Sequence, residues 1–249
     1  MEHNDNTFRL RSWYIDLLMK SILGMMYTDD PNYDENKRVE GLDWPANAHS
    51  MIGWKRMSNL RQLVEAVIRE DVPGDLIETG VWRGGACILM RGILAAHGVT
   101  DRTVYVADSF RGLPPPDVEH FPADAGMLLH KFDALAVSLD QVRHNFQKYG
   151  LLDAQVLFVE GWFKDSLPTL AGSRFSLVRL DGDYYESTIQ ALEALYPCLS
   201  EGGFCIVDDY GVSEPCARAV EDYRSQHRIS SPIQKIDDSG RWWRKARSR

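Results

Sequence analysis

The chain has 249 residues, 44% hydrophobic and 26% charged, and no stretch reaches the ~18 apolar residues that a membrane-spanning helix needs. Acidic residues outnumber basic ones, 36 to 28, and the net charge of −8 does not favour wholesale binding to nucleic acid. The opening segment MEHNDNTFRLRSWY carries no apolar signal-peptide core, and Cys87, Cys198, Cys205 and Cys216 form no C-x-x-C pair, so a cytoplasmic chain with free, buried thiols is expected.

Trp13, Leu17, Leu18, Ile22 and Met25 recur at helical spacing and predict a helix over residues 8–27. The polar, proline-bearing stretch 28–48 reads as a loop or a partly mobile lid. Leu60, Leu63, Val64 and Val67 form the apolar stripe of a helix over 59–69, and Gly74 breaks the pattern. The chain then alternates: a strand over 76–79, a helix over 84–96 and a strand over 103–107. A long proline-bearing segment, 112–137, precedes a helix over 138–149 and a strand over 156–159. A strand over 175–180, a helix over 186–196, a strand over 203–207 and a helix over 215–226 follow. Residues 232–236 and 241–244 flank Asp237-Asp238-Ser239-Gly240, which carries hairpin turn chemistry. This alternation predicts an α/β fold with a mainly parallel, doubly wound sheet and an antiparallel C-terminal hairpin at one edge. One domain over 1–249 is expected, with N-terminal helices and a lid in 1–70 and the sheet core in 71–249. Ligands of such sheets sit beyond the carboxyl ends of the strands, so the strand ends are where chemistry is to be sought.

The first strand ends in Glu78-Thr79-Gly80-Val81-Trp82-Arg83-Gly84-Gly85. Its glycines serve either a packing turn or the close approach of a ligand to the backbone, and their spacing is not the G-x-G-x-x-G of a dinucleotide site. The second ends in Asp108-Ser109, where an acid either accepts from ribose hydroxyls or caps a helix. The third leads into Gly161-Trp162-Phe163, which is either a flat wall for adenine or ordinary core. The fourth and fifth end in Asp181-Gly182-Asp183 and Asp208-Asp209. Neighbouring strand ends lie about 5 to 10 Å apart, so these acids can face one another. Crowded carboxylates raise one another's pKa values, and a hard divalent cation relieves the conflict. Oxygen-only ligands select Mg²⁺, Mn²⁺ or Ca²⁺ over zinc, the alternative being that some of these acids are helix caps or solvated charges.

Taken with His49-Ser50-Met51-Ile52-Gly53, Asp108-Ser109-Phe110-Arg111-Gly112 and Asp208-Asp209-Tyr210, these stretches resemble the macrocin O-methyltransferase family, the mycinamicin- and novobiocin-type sugar O-methyltransferases. The resemblance implies a Rossmann-like class I methyltransferase with an N-terminal helical extension and S-adenosylmethionine (SAM) as cofactor. It implies Mg²⁺ held by Asp181, Asp208 and Asp209, with Asp181 also the catalytic base and a neighbour of SAM. Catechol O-methyltransferases carry a lysine base three residues after the first metal aspartate; here that position is Tyr184. By their places, Glu78, Gly80, Trp82, Gly84, Gly85 and Ala86 border the amino-acid end of SAM, and Met51, Ile52 and Gly53 close over it. Asp108 and Ser109 meet the ribose, and Gly161, Trp162 and Phe163 flank the adenine.

Segments 28–48 and 112–137 exceed ordinary connections and are the expected acceptor lids. Met127, Leu128, His130 and Phe132 either contact an apolar aglycone or pack within the lid. His49 either braces the metal loop or packs, and Tyr210 is expected to support the metal pair. The expected activity is SAM- and Mg²⁺-dependent methylation of a sugar hydroxyl on a glycosylated natural product, in antibiotic biosynthesis, by a homo-oligomer built on a dimer. A catechol or other phenol as acceptor is the alternative. A SAM-binding module without catalysis has no need of three converging acids, and a dinucleotide oxidoreductase lacks its glycine fingerprint.

Overall fold

The computed structural model of the protein describes residues 2–26, 28 and 33–247. Helix α1 (Glu2–Ile22) buries Ile15, Leu18, Met19 and Ile22, an i, i+3, i+4, i+7 stripe that packs on α4 (Gly85–Ala96) further along the chain. Trp13 and Leu17, also at helical spacing, stand outside this stripe at 58% and 54% exposure. A short helix α2 (Glu35–Glu40) forms within the stretch read as loop: the Asp34 side chain accepts the Lys37 N–H at 3.1 Å, and Gly41 ends it in the left-handed region. Residues 29–32 of that stretch, and Tyr27 of the predicted first helix, lie outside the described residues. Helix α3 (Gly53–Arg69) starts earlier than predicted, since Met57 extends the Leu60, Val64 and Val67 stripe by a turn.

The alternating part follows as β1 (Asp75–Thr79), α4, β2 (Val104–Asp108), a series of 3-10 turns between residues 122 and 135, and α5 (Leu139–Lys148). Then come β3 (Val156–Glu160), α6 (Phe163–Ser166), β4 (Phe175–Leu180), α7 (Tyr185–Leu195), β5 (Leu199–Val207) and α8 (Glu214–Gln226), with β6 (Gln234–Lys235) and β7 (Arg241–Arg244) last. The sheet order is β3-β2-β1-β4-β5-β7-β6; the first five strands are parallel, and β7 runs antiparallel to both β5 and β6. This is the doubly wound, Rossmann-like arrangement with the predicted hairpin at one edge.

Side chains alternate across the sheet. Leu76, Val104, Val106, Leu177, Phe204 and Ile206 meet α1, α3, α4 and α5 on one face. Ile77, Val178, Leu180, Cys205, Val207 and Trp243 meet α7 and α8 on the other. Strand order reverses between β1 and β4, and there the carboxyl ends open a crevice. The four cysteines are free; Cys87, Cys205 and Cys216 are buried, and Cys198 is half-buried. Among the described residues no helix is long and apolar enough to cross a membrane.

Candidate active site

Thr79, Leu180 and Val207 stand in register across β1, β4 and β5, so Gly80, Asp181 and Asp208 leave the sheet side by side. The ladder runs one residue beyond the strands: Asp181 N donates to Thr79 O and Asp208 N to Leu180 O, both at 2.9 Å. Gly80 sits at φ +76°, and a Cβ there would overlap the Asp181 carbonyl. Asp181, Asp208 and Asp209 each turn one carboxylate oxygen inward, all within 4.8 Å of one another.

Two arginines that sequence reasoning missed complete this centre. Arg179, 1% exposed on β4, is the strand-register neighbour of Glu78 and bonds Glu78 Oε1, Asp181 Oδ2 (2.8 Å) and Asp208 Oδ1. Arg56 bonds Asp208 Oδ2, donates to Gly41 O at 3.1 Å, and lies 3.2 Å from Asp237 Oδ2. A signal for Arg179 existed: it is the one charged residue in the strand FSLVRL and shares a face with Asp181 two residues on. Arg56 had none. The second Glu78 oxygen accepts from Cys87 Sγ at 2.9 Å.

Burial, then the charge of Asp208, pushes the Asp181 carboxyl well above the usual carboxylate range, against the pull of Arg179. Burial, then Asp183 and Asp181, does the same to Asp209. Asp183 is raised to about 6 by burial and by Asp208. The two guanidiniums are spent on Asp208 and its neighbours, and Asp181 and Asp209 remain crowded. Three converging oxygens with excess negative charge suit a small hard cation.

A cavity of about 470 Å³ opens over the centre, a size that fits a cofactor and part of an acceptor. Of the predicted cofactor residues, Met51, Glu78, Gly80, Trp82, Ala86, Asp108, Ser109, Trp162, Phe163 and Asp181 line it. Gly84, Gly85 and Gly161 are off its wall. Gly84 is the N-cap of α4, Gly85 N donates to His49 O at 2.9 Å, and Gly161 N donates to Asp108 O at 3.0 Å. The Asp108 carboxylate fastens the turns around it, accepting from Val81 N at 2.7 Å and Phe110 N at 2.8 Å. The Trp82 indole N–H donates to Ala134 O at 2.8 Å, tying the β1–α4 turn to segment 112–137.

The apolar part of the cavity rim comes from three places, Leu42 and Trp44, then Leu113, Pro114, Pro115, Leu129 and Leu135, then Val212, while Glu40, Asp117, Lys164 and Asp238 also line the cavity. The predicted acceptor residues Met127, Leu128, His130 and Phe132 stand just outside this wall. Phe132 meets Trp44 edge-on at 5.6 Å between centroids, the His130 N–H donates to the Tyr184 hydroxyl at 3.2 Å, Leu128 is exposed and Met127 half-buried.

Arginines fix the described part of segment 28–48. Arg38 pairs with Asp43 and donates to Leu23 O, while Arg83 Nη1 reaches Pro45 O, Ala46 O and Ala48 O at 2.9, 2.8 and 2.8 Å. Helix α2 interrupts the expected loop, and residues 41–48 stay irregular but anchored. His49 packs edge-on against Tyr149, centroids 5.5 Å apart, and supports the glycine turn through its carbonyl rather than the metal loop. The Tyr210 hydroxyl donates to Glu221 at 2.9 Å and not to the aspartates.

Known proteins are similar to this chain in sequence and fold. The family described as Macrocin-O-methyltransferase (TylF) matches residues 2–245. A demethyldecarbamoylnovobiocin O-methyltransferase of Streptomyces niveus is 52% identical, covering 95% of this chain and 94% of its own. An 8-demethyl-8-(2,3-dimethoxy-alpha-L-rhamnosyl)-tetracenomycin-C 4'-O-methyltransferase of Streptomyces olivaceus is 50% identical, covering 94% and 93%. The structure of the O-methyltransferase NovP superposes with a TM-score of 0.92 at 53% identity, over 95% of this chain and 100% of that one. A match of that extent leaves no part of the sheet or of its strand ends unaccounted for, and the chain belongs to the macrocin O-methyltransferase family, a family of O-methyltransferases.

Proposed function

We propose that the enzyme uses SAM to methylate a hydroxyl of a sugar carried on a natural-product scaffold, with Mg²⁺ held by Asp181, Asp208 and Asp209. The carrying observation is that three carboxylate oxygens converge within 4.8 Å beneath a cavity with a partly apolar rim. The relatives named above support the acceptor class, since one acts, by its name, on a rhamnosyl-tetracenomycin and the other on a novobiocin compound. SAM supplies a methyl group already activated on a sulfonium, and Mg²⁺ lowers the pKa of a hydroxyl and fixes its place.

The remaining work falls to the chain. The backbone from Gly80 to Ala86, with Met51 and Glu78, borders the amino-acid end of SAM. Asp108 and Ser109 serve the ribose, and Trp162 and Phe163 the adenine. Asp181 takes the proton of the acceptor hydroxyl as the new C–O bond forms and the S–CH₃ bond breaks. Arg179, at 2.8 Å, orients its carboxylate. The lysine base of catechol O-methyltransferases has no counterpart at position 184, which holds a buried tyrosine whose hydroxyl accepts from segment 112–137. The apolar rim receives the aglycone, and assembling both substrates over one centre supplies much of the rate. A homo-oligomer built on a dimer belongs to this reading, supported by the exposed Leu10, Trp13 and Leu17 on α1.

The test is calorimetric titration with SAM, then methyl transfer to a panel of glycosides and catechols in EDTA or Mg²⁺. Transfer to a sugar hydroxyl that stops in EDTA and returns with Mg²⁺ is expected. Transfer indifferent to EDTA removes the metal, and transfer to catechols alone replaces the acceptor.

A further inference from the structure

Building on the function just proposed, we infer that Asp124 is a positioning residue for the carboxylate centre and that segment 112–137 braces that centre as well as walling the acceptor. Asp124 is wholly buried, although it lies in a loop whose neighbours Pro122, Ala125 and Gly126 are exposed. A buried carboxylate needs partners, and both oxygens have them: Oδ1 accepts the Tyr185 N–H at 2.6 Å and Oδ2 the Glu186 N–H at 3.0 Å. These are the first two residues of α7, whose backbone N–H groups have no partner within the helix. A charged acceptor at this end of a helix is favoured twice, by the hydrogen bonds and by the helix dipole.

The start of α7 directly follows Asp181-Gly182-Asp183-Tyr184, and that turn is strained. Asp183 sits at φ +57°, a region non-glycine residues seldom adopt, so something must hold it there. Asp183 N donates to Asp209 Oδ2 at 3.2 Å, and Ser213 Oγ donates to Asp183 O at 2.5 Å. From the other side, segment 112–137 grips the turn at Tyr184 through His130 and at the next two residues through Asp124. The spacing between Asp181 and Asp209 therefore depends on a clamp whose far jaw is Asp124. Were Asp124 only an anchor for its own segment, its removal would loosen residues 112–137 and leave Asp181 and Asp209 in place.

Asp124→Ala and Asp124→Asn in the full chain separate these cases, read by hydrogen exchange of residues 181–183, which make no bond to Asp124, by Mn²⁺ titration and by SAM calorimetry. In Asp124→Ala, exchange over 181–183 should quicken about tenfold, the scale of a lost helix cap. Mn²⁺ affinity should fall about tenfold or more, as for lost supports of metal ligands, with SAM affinity unchanged. Asp124→Asn keeps one acceptor oxygen and should fall between. Faster exchange confined to 112–137 and to Tyr185 and Glu186, with Mn²⁺ affinity and residues 181–183 as in the wild type, overturns the inference. If the wild type binds no Mn²⁺, the proposed function fails at its metal. Exchange over 181–183 then decides alone: quickening upholds the role of Asp124, and no change ends it.

Discussion

The guanidinium of Arg179 meets Glu78, Asp181 and Asp208 with almost no water around it. Breaking a buried pair strands the partner charges and costs about 3 to 5 kcal/mol. Arg179→Met should lose stability on that scale in urea unfolding, and Arg179→Lys should recover only part, since an ammonium lacks the fork that spans three acceptors. An unfolding midpoint like that of the wild type would show that the three acids need no internal cation. Asp181→Asn is a different perturbation. Its amide oxygen can still accept from Arg179, so the fold and SAM binding should persist while kcat falls at least about 100-fold with loss of the base. Near-normal turnover would remove Asp181 from that role. The three aspartates were legible because strand ends are where such sheets do chemistry, and their side chains carry the signal themselves. Arg56 and Asp124 were not, because their partners lie 152 and 61 residues away and nothing local marks them.

Among the elements, the strip that joins α2 to α3 has a pH dependence of its own. Burial, then Lys148 and Arg83, lowers the His49 pKa from 6.5 to about 4. Between those values the unfolded chain holds a proton that the folded chain does not, so stability is full above pH 6.5 and falls as pH drops toward 4. His49→Phe keeps a ring against Tyr149 and should flatten thermal stability across that window; an unchanged slope would assign the effect to other groups. Element types in the alternating part were legible because each strand is a short apolar run and each helix has a stripe. Helix α2 was hidden: ENKRVE has no apolar period, and the Asp34 cap and the Arg38–Asp43 pair that hold it become visible only in the fold. The inner face of α1 was not legible for a related reason, as two periodic readings of one helix compete and contact with α4 decides.

At the scale of the whole molecule, a cation bound to the folded chain alone stabilises it by mass action. At a hundredfold excess over Kd this amounts to about 2.7 kcal/mol. For a chain of this size the melting temperature should rise about 5 to 10 °C in Mg²⁺ and return in EDTA, with NaCl of equal ionic strength giving no such rise. A flat response would mean that the carboxylates hold no cation. The terminal hairpin bears on the same centre. Ser239 Oγ donates to Asp208 O at 2.6 Å, Asp237 flanks Arg56, and Trp243 is fully buried where β7 covers the edge of β5. These residues follow β1 to β5 in the chain and are therefore translated after them. On the ribosome β1 to β5 can pair while residues 237–244 are still in the exit tunnel, with Asp208 and Arg56 short of their supports and the edge of β5 bare. Asp208 and Arg56 thus gain their full set of supports only once β7 has emerged, and a chain stalled before it presents the bare edge of β5 to other chains.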